Sequence, residues 1–224
     1  AGWGFCVVKV GKNQTALEGG EKVAEAWGPV LVDPSSPLFI GAECGSNNTG
    51  ELSAIGEALL WAQTQVIAST TCIEIASDSL YAIGAVIGTL NGECNKDLYM
   101  GARSTLAEIV KFNRVVFTHV DGHSDHRWND FADSLAKKGE TGSFGKIGRW
   151  ANYTAPAKAG PRSATSKGSG KITAWKAPPV LSDRITAVAE GETESFCTER
   201  LGLWCDWADG DEIECSGAPL SCPH

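Results

Sequence analysis

Nowhere in the 224 residues is there an apolar run of the roughly 20 residues a membrane-spanning helix needs, nor a leader with a basic start and an apolar middle. Neither a membrane span nor a secretory signal is expected. Eight cysteines are too sparse for a disulfide scaffold. Cys6, Cys72 and Cys94 lie in or near apolar stretches, where a thiol behaves as a small hydrophobe. Cys197, Cys205, Cys215 and Cys222 contain no C-x-x-C pair, which argues against structural zinc. A reducing intracellular setting, cytoplasmic or nuclear, is expected. Methionine is nearly absent: Met100 is the single one, the chain starts at Ala1, and it runs almost at once into the strand-like GWGFCVVKV. The chain therefore reads as a piece of a longer product. There is no internal repeat.

Basic residues are scarce where the chain looks folded. Residues 1–140 hold ten Lys and Arg against seventeen Asp and Glu, residues 141–185 eight against one, and residues 186–224 one against nine. Two tails of opposite charge are expected behind an acidic domain. The first tail includes APAKAGPRSATSKGSGK (155–171), too poor in apolar side chains to fold by itself. The expected organisation is one domain over 1–140 and a low-complexity, disordered tail over 141–224, basic over 141–185 and acidic over 186–224. Lys146, Arg149, Lys158, Arg162, Lys167, Lys171, Lys176 and Arg184 would make the basic part a flexible arm able to neutralise phosphates.

Within 1–140 the apolar spacing alternates between strand and helix. Residues 3–10 and about 22–32 read as strands, and 49–66 as a helix with Leu52, Ile55, Leu59, Ala62 and Val66 on one stripe. TCIEIAS (71–77) has the continuous apolar character of a strand buried on both faces. Helices are expected over 80–89, 97–112 and 126–138, and a strand over 114–120. The order β-β-α-β-α-α-β-α predicts an α/β domain with a mixed sheet.

Against this frame a few polar residues stand out. Asp78 follows the 71–77 strand directly, where open α/β sheets bind ligands, although Asp is also a common helix N-cap. Glu51 lies in the first turn of its helix, three residues after Asn48, a capping-box spacing. Asp133 sits four residues after Asn129 on the face away from Trp128, Phe131 and Leu135, where a solvated surface acid is the ordinary reading. His123 occupies a Gly/Ser/Asp loop and titrates near neutrality, which suits proton transfer, whereas His119 lies in a strand and reads as structural. A zinc site of His119, His123 and His126 would need all three on one helix, and the strand and Gly122 argue against it. Carboxylates drawn from three separate elements favour Mg²⁺ or Mn²⁺. Clustered carboxylates holding two such ions are the apparatus of phosphodiester hydrolysis.

NNTGELSAIGEALLWA (47–62), IASDSLYAI (75–83) and GHSDHRWNDFADSLA (122–136) resemble, in this order, three of the four signature blocks of type 1 ribonucleases H. The resemblance covers residues 1 to about 140. It implies a ribonuclease H-like fold, with a mixed five-stranded sheet flanked by helices, and hydrolysis of the RNA strand of RNA–DNA hybrids with a two-ion Mg²⁺ or Mn²⁺ site. Glu51, Asp78 and Asp133 take the places of metal-binding carboxylates, and His123 that of the loop histidine that assists proton transfer. Asn47 and Asn48 fall where the family contacts the RNA strand, and Asn129 matches a residue near the metals. The HRWND…AD version, with Trp128, looks most like retroelement ribonucleases H, which implies a reverse transcriptase domain in the same polyprotein. Two departures stand against this. AGWGFCVV resembles the family's second strand, so its first strand, with the aspartate that bridges the two metals, is missing from this chain and a gap in mid-sheet is expected. Asp125 stands where a small loop residue is common. The alternative is an inactive, nucleic-acid-binding or scaffold relic of the fold.

Overall fold

The computed structural model describes residues 1–11, 19–65, 67, 71–122, 126–154, 185–188 and 199–207. Strands β1 (Gly2–Val10) and β2 (Glu21–Pro29) lead into helix α1 (Asn47–Thr64), followed by β3 (Thr71–Ser77), α2 (Leu80–Ile87), α3 (Lys96–Ile109), β4 (Val115–His119) and α4 (Arg127–Glu140). These eight elements follow the order expected from the sequence, with ends shifted by a few residues. A short 3-10 turn at Gly148–Trp150 and two further strands, β5 (Ile185–Val188) and β6 (Glu199–Trp207), come after them.

The strands form one mixed sheet in the order β2-β1-β6-β3-β4-β5. β1 runs antiparallel to β2 and β6, while β6, β3, β4 and β5 run parallel. The sheet departs from expectation in two ways: it has six strands where five were foreseen, and its middle is not left open. β6 pairs with β1 along one edge and with β3 along the other. The backbone groups of β1 and β3 that would otherwise be orphaned in the interior thereby find partners.

Alternation along the strands sorts side chains into two cores. Trp3, Phe5 and Val7 of β1, Ile73 and Ile75 of β3, and Leu203 and Cys205 of β6 join residues of α1, α2 and α3 on one face. Cys6, Val8, Val10 and Ala76 meet Trp128, Ala132 and Leu135 of α4 on the other. Of the three α4 residues expected to face inward, Trp128 and Leu135 are buried and Phe131 is half-buried, with its ring edge-on to Trp128. Helix α4 lies directly on the sheet because glycine clears the way. A Cβ at Gly4 would come 2.5 Å from the Ala136 nitrogen, and one at Gly139 2.3 Å from the Gly28 carbonyl.

The packed unit also runs past residue 140. Trp150 is 2% exposed, with its ring 5.2 Å from Trp3, 5.8 Å from Phe144 and 5.3 Å from Tyr153. Aromatic pairs of this kind contribute about 0.5–1.5 kcal/mol each beyond their burial, enough to anchor the chain here. Arg149, assigned above to a flexible arm, is held by the Leu38 carbonyl and by Glu57. The rest of that arm, except Lys146, lies outside the described residues.

Candidate functional site

Two local preferences place the first carboxylates. α1 begins at Asn47 because Ser46 caps it, its hydroxyl accepting from the Thr49 N–H at 3.3 Å. α2 begins at Leu80 because Ser79 caps it, accepting from the Ala82 N–H at 3.1 Å. Both capping duties that the sequence offered to the candidate residues are therefore performed by serines. Asn48 and Glu51 form no capping box, and Asp78 is not the N-cap of α2. Neither acid serves as the N-cap of its helix.

What they do is meet. The Ser79 hydroxyl, while accepting from Ala82, donates to the Glu51 carboxylate. One O–H and two lone pairs allow both bonds at once. Glu51 is buried at 9% exposure, and its carboxyl is pushed up to about 7. Burial is the main cause; the Ser79 hydrogen bond opposes it, and the nearby Asp78 charge adds to it. Asp78 is half-buried at the end of β3. Its backbone carbonyl accepts from His119 Nε2 at 3.1 Å, so His119, the strand histidine, holds the main chain that carries the acid. Gly122 approaches from the opposite loop: a Cβ there would lie 3.1 Å from Asp78 Oδ2. His123 and Asp125 follow immediately and lie outside the described residues.

The other candidates lie on α1 and α4. Asn47 and Asn48 form the first turn of α1, half-buried, at the same helix end as Glu51. Asp133 stands in the second turn of α4, half-buried, with Lys137 Nζ 2.5 Å from its Oδ2. Asn129 is 3% exposed. Among the described residues, no three His, Cys, Asp or Glu side chains are grouped so that they could hold one ion. Glu51 and Asp78 are brought together; Asp133 is not placed in a common cluster with them. His126, the third member of the zinc alternative, is buried at the start of α4.

The donor chemistry of the pair suits a hard divalent cation. Two carboxylates from different elements, one desolvated and raised by its neighbour's charge, gain most from a cation between them. Two supporting residues were not singled out from the sequence. Ser79 was hidden behind Asp78, although a Ser directly before a helical run is a capping signal. Asn95 takes a left-handed backbone (φ 55°) and ties two segments together: its Oδ1 accepts from the Glu43 N–H at 3.1 Å and its Nδ2 donates to Thr49 Oγ1 at 2.9 Å. That clamp steadies the start of α1.

A family model described as RNase H matches residues 20–141. A protein named Ribonuclease H from Clostridium botulinum (strain Hall) is 32% identical over 103 residues, which cover 42% of this chain and 66% of that protein. One of the same name from Chlorobium phaeovibrioides is 31% identical over 123 residues, covering 50% of this chain and 81% of that protein. The chain thus spans just under two thirds of the Clostridium relative's length. No solved structure matches.

Proposed function

The chain belongs to the ribonuclease H family, and we propose that it is a metal-dependent endonuclease that hydrolyses the RNA strand of RNA–DNA hybrids. One observation carries the reading: Glu51 and Asp78, each relieved of capping by a serine, stand together where α1 begins and β3 ends. Glu51, Asp78 and Asp133 would hold Mg²⁺ or Mn²⁺, in a two-ion site. Such ions, when bound, supply a nucleophile from water at neutral pH and neutralise charge on the leaving oxygen.

The chain's own residues do the rest. Ser79 orients Glu51, and His119 fixes the backbone of Asp78. Asn47 and Asn48 would bond to the RNA strand through the minor groove, reading 2′-hydroxyls and not base sequence. His123, one residue beyond the glycine packed on Asp78, would carry protons to or from the reacting phosphate, a role that general acid–base groups fill with gains of about 10²–10⁴ in rate. The HRWND…AD block with Trp128 supports a place in a retroelement polyprotein beside a reverse transcriptase domain. The site of action would then be the cytoplasm or nucleus. Among the described residues no helix is long and apolar enough to cross a membrane.

The test is Asp78→Asn in the full chain. Cleavage of a labelled hybrid should be abolished while hybrid binding persists, and retained Mg²⁺-dependent cleavage would refute the role. A wild-type chain that binds hybrids but never cuts them would favour the inactive relic.

A further inference from the structure

Two cysteines stand outside every role assigned so far, and the fold brings them to one place from distant parts of the sequence. The loop that leads into α1 crosses the start of α3, and its contacts advance in step. A Cβ at Gly41 would lie 2.5 Å from the Leu98 nitrogen and 2.6 Å from the Asp97 carbonyl carbon. Two residues on, the Glu43 N–H donates to Asn95 Oδ1 at 3.1 Å, and the Lys96 N–H donates to Glu43 Oε1 at 3.1 Å. The contacts climb from 41 to 43 on one segment while they descend from 98 to 95 on the other. The next step in that order sets Cys44 against Cys94.

The side chains agree with that order. Cys44 Sγ lies 3.5 Å from Thr49 Oγ1, and the same hydroxyl accepts from Asn95 Nδ2 at 2.9 Å. The sulfur is thus turned toward the residue that follows Cys94. The loop carrying Cys94 is itself fixed, since the Gly92 carbonyl accepts from the Tyr99 hydroxyl at 2.9 Å and Asn95 is 2% exposed. Cys44 and Cys94 are thiols and both are half-buried, within reach of a small oxidant. Cys6, Cys72 and Cys205 are buried, and burial pushes the Cys6 thiol up to about 12, far from the thiolate that exchange requires.

We propose that Cys44 and Cys94 are a reversible redox pair whose disulfide locks the loop before α1 onto the start of α3. One thiolate of the pair attacks a small disulfide such as oxidised glutathione, which leaves a mixed disulfide and releases one glutathione thiolate. The other cysteine's thiolate then attacks the protein sulfur of that mixed disulfide and releases the second glutathione. Two protein thiols are oxidised, one glutathione disulfide is reduced to two thiols, and the two protein protons pass to the released thiolates. The new bond spans the gap that Asn95 bridges by hydrogen bonds, so the helix start bearing Asn47, Asn48 and Glu51 becomes covalently held. The pairing does not depend on the metal-dependent reading above.

Pairing and locking are tested separately, on the full chain. The reduced protein is incubated with oxidised glutathione, its remaining thiols are blocked with N-ethylmaleimide, and it is digested without reductant for mass spectrometry. A cross-linked Cys44–Cys94 peptide that disappears with dithiothreitol is expected. Glutathione retained on either cysteine without a cross-link, or Cys44 joined to a different cysteine, would overturn the pairing. This mapping uses the native chain and needs no variant. For the lock, oxidation should raise the melting midpoint by about 5–10 °C, as closing a long loop does, and should slow amide hydrogen exchange over residues 46–50. C44S and C94S should show neither change under the same oxidation. A rise of equal size in both variants would assign it to other cysteines, and a cross-link that leaves midpoint and exchange unmoved would show that the bond locks nothing; either result would overturn the lock.

Discussion

Helix α1 buries two glutamates that share a displaced pKa and differ in everything around it. Glu51 and Glu57 are both pushed up to about 7, and in both the main cause is burial. Glu57, 3% exposed, has Arg149 Nε 3.6 Å from its Oε2, a cation that draws its pKa back down. Glu51 has a hydroxyl, Ser79, and a second acid, Asp78, whose charge pushes it further up. The first glutamate is compensated from within the chain and joins α1 to the 148–150 turn. The second is left with its charge demand unmet, at the mouth of parallel strands. A buried acid is thus not by itself a mark of function; a buried acid whose nearest charge has the same sign is a much better one.

Exchanging each acid for its amide should separate the two most sharply. Glu51→Gln is expected to lower hybrid cleavage by about 10³-fold or more, since ligands of a catalytic ion carry several kcal/mol of transition-state stabilisation. Glu57→Gln should leave the rate within about twofold. Similar losses from both, measured under saturating hybrid, would erase the distinction.

The next largest effect is on stability, and on the other side of the comparison. Arg149→Met strips Glu57 of its cation and should cost about 2 kcal/mol in denaturant unfolding at pH 8, a partial effect because Arg149 is itself 27% exposed. At pH 5 Glu57 is protonated in the folded state and the cost should shrink. An equal cost at both pH values would mean that Arg149 acts through its bond to the Leu38 carbonyl instead.

Ser79→Ala should cost about 1 kcal/mol by removing the N-cap of α2. It should also raise the Glu51 pKa further, because the hydroxyl's hydrogen bond opposes the shift. The half-rise of Mn²⁺ affinity with pH should then move to higher pH. A shift to lower pH would contradict the hydrogen bond's assigned direction.

The smallest effect is the pH slope itself. A carboxyl raised in the folded state from 4.5 to about 7 favours folding fully below its unfolded pKa, and that contribution is lost as pH rises through about 7. Wild-type stability should accordingly decline between about pH 5 and 8. Glu57→Gln should flatten part of that decline, and the remainder should respond to Mg²⁺, which would relieve Glu51 but not Glu57. A slope indifferent to both changes would place its origin elsewhere.

The amino-acid order alone determined the eight elements between residues 2 and 140, because each is marked by a local signal. TCIEIAS reads as a two-sided strand from its own composition, and the α1 stripe of Leu52, Ile55 and Leu59 is periodic within a few turns. It also offered Glu51 and Asp78 as acids at element ends, but left open whether they were caps. Only the folded chain decided that, since the answer lay in Ser46, Ser79 and contacts across 28 residues of sequence. Tertiary structure likewise decided the fate of Arg149, read as part of a mobile basic arm and held instead by Glu57 and Leu38. β6 is the extreme case. ERLGLWCDW lies among scattered acids, tryptophans and cysteines without a sustained pattern, and its partners on both edges are remote, at residues 3–10 and 71–77. A strand's stability resides in its neighbours more than in its own residues, so a central strand drawn from so far along the chain leaves little trace in its local sequence.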